Sequence, residues 1–388
     1  MINFHYYNPA KIIFGKGSEK EIEKLLLDYN VKSLLMVYSG NFIKDLGIWD
    51  AVKNACEKDH IKFYECGTVV PNPKIELVRE LIENGKKNKV DFVLAVGGGS
   101  SIDTAKAVAL GIPYDGDVWD FYEGKASEKN VLPVGVITTL PASGSETSNC
   151  SIISNGLHKV GFESDSIIPK FAIMNPEFTM TLPAYQTSCG IADILSHLLE
   201  RYFSDTKFVD TTDFLIEGAV RALMLNAERL THNSHDYNAR AEIQWLASIA
   251  HNNLLDTGRV GDWGSHRIEH ELSAQYGITH GEGMAVVMVA WTKYMAHKKP
   301  EKLAQLANRV FGVDYHDYTL TQMALKLSEI LESFFKKLNL KTTLTELNID
   351  KKYFSEMAAR ATDNGKSPVG HYVPLDEKTF VDILNLAI

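Results

Sequence analysis

Much that would narrow the function of this chain is missing from it. No apolar run approaches the roughly 20 residues needed to cross a bilayer, so no membrane span is expected. There is no dense block of Lys or Arg, and 40 basic against 49 acidic residues leave a net charge of −9. That balance argues against nucleic acid or an anionic membrane as partner. Cysteine is sparse: Cys56, Cys66, Cys150 and Cys189 stand apart without C-x-x-C spacing. Free thiols in a reducing cytoplasm are expected, with no cysteine metal site. The opening Met-Ile-Asn-Phe-His-Tyr-Tyr-Asn-Pro lacks a basic n-region and an apolar h-region, so no signal peptide is expected.

What is present is ordinary for a globular protein with a sizeable core: 388 residues, 45% hydrophobic and 23% charged. That length suggests about two or three domains. The first part alternates β-rich runs with helical stretches. Strands are expected at Lys11–Phe14, Ser33–Tyr38, Ile61–Glu65, Asp91–Val96, Val131–Thr139 and Phe171–Met174, with a hairpin turning at Ser154-Asn155-Gly156. Ser18 with Glu21 has the form of a capping box opening a helix to about Tyr29. Such alternation predicts a mostly parallel sheet covered by helices on both faces. From Pro183 onward strand signals almost vanish. Helices are expected at 184–203, 208–230, 238–255, 263–275, 283–297, 301–310, 318–338 and 375–387. The boundary is placed near residues 176–184, giving an α/β domain over 1–180 and an all-helical domain over 181–388.

Three histidines crowd the stretch from Gly261 to Gly283: His266, His270 and His280. His266 and His270 are four apart and share one helix face. Gly277 ends that helix, and the following loop returns His280 to the same side. A bland alternative is three unrelated polar or core histidines. It loses ground because Asp193 and His197 also stand at i, i+4, with Asp193 among apolar residues where an unpaired carboxylate is costly. A divalent metal between the two helices resolves both oddities.

Gly97-Gly98-Gly99-Ser100-Ser101 follows a strand and opens a helix, which suits a phosphate at the helix N-terminus. It is not the G-x-G-x-x-G pattern, and a ligand-free tight turn remains open. Asp103 reads as a first-turn acid or as a group that orients a ligand hydroxyl. Thr138-Thr139-Leu-Pro-Ala-Ser143-Gly144-Ser145-Glu146 is a second hydroxyl-rich loop after a strand. Two such loops at the carboxyl ends of strands describe a nucleotide crevice.

Taken together, Gly-Gly-Gly-Ser-Ser-Ile-Asp, Thr-Thr-Leu-Pro-Ala-Ser-Gly-Ser-Glu, Asp193-x-x-x-His197, and His266-x-x-x-His270 with His280-Gly281 resemble the iron-containing (group III) alcohol dehydrogenases. The likeness extends over the whole chain and is nearest to their NADPH-dependent butanol dehydrogenase and aldehyde reductase branch. It implies a dinucleotide-binding α/β domain followed by an all-helical one, the two-domain architecture also found in dehydroquinate synthase. It implies one divalent metal, Fe²⁺ or Zn²⁺, held by Asp193, His197, His266 and His280, with His270 at the proton-relay position. Gly97, Gly98, Ser100, Asp103, Thr138, Thr139, Lys159 and Asn72 match cofactor-contact positions, with Gly99, Ser143 and Ser145 in the same loops. Two departures stand out: Thr279 where Pro is usual, and Glu269 where Ala is usual. Neither removes a ligand, though both bear on the pocket.

The implied activity interconverts primary alcohols and aldehydes. Three imidazoles and one carboxylate leave room for a further ligand, which suits a catalytic metal polarising the substrate oxygen, while hydride passes to or from nicotinamide C4. Two other readings stay open: a dehydroquinate synthase-like lyase using NAD within one turnover, and a non-catalytic metal- and nucleotide-binding sensor. After Ser33–Tyr38 the chain runs Ser39-Gly40-Asn41-Phe42-Ile43-Lys44, with no acid until Asp45. An acid-free turn leaves space for a 2′-phosphate, so Ser39, Gly40, Asn41 and Lys44 are expected to favour NADP(H), with NAD(H) the alternative. The resemblance also implies a homodimer, for which the alternating, aromatic-rich Met1–Tyr7 is a candidate interface strand. His251, Trp245, Leu254 and Trp263 read as packed or wall residues, and Cys150 and Cys189 as inert buried thiols.

Overall fold

The computed structural model describes all 388 residues. The chain divides into two compact units: Tyr7–Leu182 with His235–Asn252, and Met1–Tyr6 with Pro183–Ser234 and Asn253–Ile388.

In the first unit the strands are β1 (Lys11–Phe14), β2 (Ser33–Tyr38), β3 (Lys62–Cys66), β4 (Phe92–Gly97), β5 (Val134–Thr138), β6 (Cys150–Asn155), β7 (His158–Glu163) and β8 (Phe171–Met174). Six of them form one sheet in the order β1-β8-β5-β4-β2-β3, every pair parallel. Strands β2, β4, β5 and β8 are buried along their whole length, which is why they read as continuous apolar runs rather than alternating ones. Their pleat sends Leu35, Val37, Val93 and Ala95 into one core and Leu34, Met36, Leu94 and Val96 into the other. From β2 the chain goes out to β3 and returns on the far side of β2 as β4. That reversal opens a crevice beyond the carboxyl ends of β2 and β4, where Tyr38 pairs Val96 and Gly97 pairs Thr138.

Several local expectations are corrected. Ser18 and Glu21 form no capping box. Gly17, at φ 75, precedes a 3-10 turn over Ser18–Glu21, and the helix proper is Ile22–Asp28. Ser18 is buried and its hydroxyl makes no hydrogen bond. The hairpin turns at Gly156-Leu157, one residue later than expected, with Gly156 supplying a left-handed φ of 57. The helix expected over 238–255 stops at His251 because Asn253 takes φ 66. That helix, Tyr237–His251, groups with the sheet unit. Ser248 Oγ donates to Glu146 Oε1 at 2.5 Å, His251 Nδ1 lies 2.6 Å from Ser143 O, and Trp245 sets its edge on Phe14. Met1–Tyr7 forms no strand within the chain, and Ile2 N–H donates to Gly258 O at 3.0 Å.

The second unit is helical: Ala184–Tyr202, Asp210–His232, Gly264–Tyr276, His280–Lys298, Glu301–Phe311, Leu320–Lys337, Phe354–Ala361 and Glu377–Leu386. The His280–Lys298 helix is its hub, packing on Ala184–Tyr202, Gly264–Tyr276, Leu320–Lys337 and Glu377–Leu386. Met284 to Trp291 are all buried, so this helix is apolar all round, as a central helix must be. It starts at His280, three residues earlier than expected. The Phe354–Ala361 helix was not foreseen, although Phe354, Met357, Ala358 and Ala361 give it a buried face at helical spacing. No helix is long and apolar enough to cross a membrane.

Candidate functional site

In the helical unit, Asp193 and His197 stand one turn apart on Ala184–Tyr202, and both are buried. His266 and His270 do the same on Gly264–Tyr276, which Gly277 closes at φ 68. A three-residue link then makes His280 the first residue of the next helix. The folded chain brings these groups together. Asp193 Oδ1 lies 3.3 Å from His280 Nε2, 3.8 Å from His197 Nε2 and 4.0 Å from His266 Nε2. The His197 ring stacks on His266 with centroids 4.8 Å apart. His270 is set further out, 6.4 Å from the His266 ring and 5.7 Å from that of His280. Ligand atoms of Asp193, His266 and His280 lie within 4.8 Å of one another.

Close helix contact makes this convergence possible. A Cβ on Gly281 would sit 2.0 Å from Cys189 O, so only glycine lets the start of the His280 helix lie against the backbone of the Asp193 helix. Burial pushes the Cys189 thiol up to about 12.

The imidazoles are oriented from behind. Glu200 lies one face-repeat beyond Asp193 and His197 (i, i+4, i+7) and is fully buried. Its Oε1 accepts from His266 Nδ1 at 3.0 Å, His266 N–H at 2.9 Å and Ser265 Oγ at 2.5 Å, while Oε2 accepts from Trp263 N–H at 2.7 Å. Burial opposes ionisation of this carboxyl, but the hydrogen bonds from His266 and Ser265 outweigh it and hold its pKa below the usual value. Asp262 beside it is raised by burial and by the charge of Glu200. Its side chain takes backbone N–H groups from Gly264, His371 and Tyr372. Glu269 bonds His280 Nδ1 from the other side. Sequence reasoning passed over Glu200, although its spacing from Asp193 and His197 was a usable signal, and treated Glu269 only as a departure.

The donor set fits a divalent ion on two grounds. Asp193 Oδ1 and His266 Nε2 are buried and make no hydrogen bond, although both belong to groups that are costly to bury unsatisfied. One carboxylate with three imidazoles is also the ligand chemistry of zinc and non-haem iron sites. Trp263 walls the cluster, its ring 5.2 Å from His266 and 6.1 Å from His197.

In the sheet unit, the switch-point crevice gathers the glycine loop and the two strand ends. Gly97 takes φ 146, and a Cβ there would lie 2.7 Å from Ser101 Oγ and 3.8 Å from Ser39 Oγ. A Cβ on Gly99 would lie 2.6 Å from Ser143 Oγ, so the bare backbone is what leaves the cradle open. Gly98 precedes the Gly99–Gly111 helix without a side-chain cap. The buried hydroxyls of Thr138 and Ser101 have no hydrogen-bond partner. Gly40 takes φ 73 and donates its N–H to Gly67 O. Asn41 precedes the short Phe42–Asp45 helix, and the Lys44 ammonium lies over the Trp49 ring at 5.3 Å. An acid that the sequence did not suggest bonds Tyr38, the last residue of β2 before the turn. Glu65 on β3 accepts from Tyr38 Oη at 2.9 Å and Trp49 Nε1 at 2.6 Å.

Asp103 and Ser145 turn toward the protein. Ser145 Oγ donates to Asp103 Oδ1 at 2.7 Å, and Ile152 N–H meets Oδ2 at 3.2 Å. Lys106, also unforeseen, is wholly buried beside them and donates to Ser145 Oγ, Ser148 O and Cys150 O. Burial lowers its amine to about 8, against the pull of Asp103. Lys159 sits opposite Ser154 in the hairpin, whose backbone N–H donates to Pro73 O beside Asn72.

Comparison with known proteins matches residues 9–176 to the iron-containing alcohol dehydrogenase model and 187–388 to the C-terminal model of the Fe-containing alcohol dehydrogenase family. NADH-dependent butanol dehydrogenase A of Clostridium acetobutylicum is 36% identical over 388 residues, 99% of each chain. NADPH-dependent aldehyde reductase YqhD of Escherichia coli is 31% identical over 385 residues, 97% of each. The crystal structure of NADH-dependent butanol dehydrogenase A from Thermotoga maritima superposes with a TM-score of 0.94 at 36% identity, covering 100% of this chain and 99% of that one.

Proposed function

Because the chain belongs to the iron-containing alcohol dehydrogenase family, we propose that it interconverts primary alcohols and aldehydes with a nicotinamide cofactor and one divalent metal, Fe²⁺ or Zn²⁺. The observation that carries this reading is the convergence of Asp193, His197, His266 and His280, with buried Asp193 Oδ1 and His266 Nε2 lacking hydrogen bonds. These four residues are assigned as the metal ligands. When bound, the metal polarises the substrate oxygen and the nicotinamide exchanges hydride with the substrate carbon. Glu200 holds the His266 imidazole by Nδ1, so that its Nε2 faces Asp193. Relatives named as dehydrogenases and reductases favour neither the lyase nor the sensor reading. Oxidation of NADPH on addition of a simple aldehyde tests the proposal, since a lyase of that type and a sensor give no net oxidation.

His270 is assigned to proton transfer. It lies one turn from His266 and beside His280, grouped with Glu269 and His280 rather than with Asp193 and His266. His270→Ala is expected to keep the metal and to lower kcat about 100-fold or more, with a changed pH profile. Loss of the metal in that variant would place His270 among the ligands.

The cofactor is assigned to the crevice formed by Ser39, Gly40, Asn41, Lys44, Asn72, Gly97, Gly98, Gly99, Ser100, Thr138, Thr139, Ser143 and Lys159, with Asp103 and Ser145 shaping it from within. NADPH is proposed as the preferred form. The turn at Ser39–Asn41 carries no acid, and Glu65 is already engaged by Tyr38 and Trp49. Gly40→Asp is expected to reverse or erase the preference in kcat/KM, since aspartate tolerates the left-handed backbone there and repels a 2′-phosphate. A wild-type enzyme preferring NADH would overturn this reading of the turn.

We also propose a homodimer in the reducing cytoplasm. Met1, Ile2, Phe4, Tyr6 and Tyr7 are exposed large side chains at one terminus, and four free thiols suit that compartment. Light scattering is expected to give twice the 43.3 kDa chain mass. The mass of one chain at micromolar concentration would rule the dimer out.

A further inference from the structure

We infer that Glu269 is the positioning residue of His280, fixing which nitrogen that ring presents to the proposed metal. Glu269 is completely buried, and its two carboxylate oxygens have separate jobs. Oε2 takes the Nδ1 side of His280, and Oε1 accepts from Ser273 Oγ one helical turn on. With Nδ1–H donating to a carboxylate, the lone pair of His280 is on Nε2, the atom 3.3 Å from Asp193 Oδ1. Glu200 stands in the same relation to His266. The chain has therefore built two carboxylate–imidazole couplets, one behind each histidine of the tight donor group.

Space has been made for the second couplet. A Cβ on Gly283 would lie 2.7 Å from Glu269 Oε1 and 2.9 Å from its Cγ, so the glycine on the first turn of the His280 helix leaves the hole this side chain fills. A buried carboxylate without such partners would be strongly destabilising. Glu269 also falls within reach of His270 and His280 as a donor group in its own right, so the alternative that it binds the metal directly must be separable.

The inference rests on the proposed metal site, and the test keeps the two apart. Co²⁺ affinity and Co²⁺ absorption bands are measured in wild type, Glu269→Ala, Glu269→Gln, Glu269→Ala/Gly283→Ala and His266→Ala, with thermal midpoints alongside. E269A is expected to lose about 10- to 100-fold in affinity. E269Q, whose amide oxygen still accepts from Nδ1, keeps the wild-type band positions. The double variant refills the hole with a methyl group, recovering the thermal midpoint while the affinity stays low. Wild-type affinity in E269A overturns the inference, as does affinity restored by G283A, which makes the role one of packing. Displaced bands in E269Q overturn it too, by making Glu269 a ligand. If H266A still holds Co²⁺, the metal assignment itself fails. If H266A loses Co²⁺ while E269A keeps it, only the role of Glu269 falls.

Discussion

Replacing His266 or His280 with Ala is expected to remove both metal and turnover. Each supplies a nitrogen to the group that closes around Asp193. The two variants differ in what else they break. His266→Ala leaves the fully buried Glu200 without its imidazole partner, and orphaning one member of a buried pair costs about 3–5 kcal/mol. Glu200 retains hydrogen bonds from Ser265, Trp263 and the His266 backbone, which places the loss toward the lower end. His280→Ala takes the imidazole from the buried Glu269, which keeps its hydrogen bond from Ser273. Elemental analysis and a thermal melt of each variant check both statements. Stoichiometric metal with a normal rate in either one would sink the ligand assignment.

Gly281→Ala is expected to be nearly as damaging, although it removes no functional group. The added methyl would come 2.0 Å from Cys189 O and 2.6 Å from Cys189 C, and these are backbone atoms that cannot rotate away. The helices carrying His280 and Asp193 must part, and overpacking of this kind costs about 1–3 kcal/mol. The separation falls where His280 Nε2 and Asp193 Oδ1 stand 3.3 Å apart, so metal affinity drops together with stability. Thermal unfolding and bound metal are measured on the same sample. Wild-type metal content in G281A would mean that the close approach of the helices does not set the site.

The sequence made the donor set legible because helical periodicity turns spacing into geometry. Asp193 with His197, and His266 with His270, need only an α-helix to share a face, and Gly277 announced where the second helix ends. The strands of the sheet were legible for a similar reason: continuous apolar runs such as Ser33–Tyr38 and Phe92–Gly97 belong in a sheet covered on both faces. What remained hidden depended on contacts between distant segments. Nothing local at Glu269 points to His280, eleven residues on and across a helix break. Lys106 likewise sits in an apolar helix whose composition gives no hint of Ser145, Ser148 and Cys150 around its amine. The failed capping box at Ser18 is of another kind. The residue types were right, but Gly17 bent the chain into a tighter turn first. Grouping of the Tyr237–His251 helix with the sheet unit also lay beyond periodicity, since it depends on Ser248 reaching Glu146 and on Gly144 admitting Ala247 at close range.

The most direct test of the account is aldehyde-dependent oxidation of NADPH by one preparation, followed before chelation, after chelation and after Fe²⁺ or Zn²⁺ is returned. The account predicts steady oxidation of the cofactor by simple aldehydes, its disappearance once the metal is stripped, and its return when the metal is restored. Full-rate oxidation by protein with no measurable metal would contradict it.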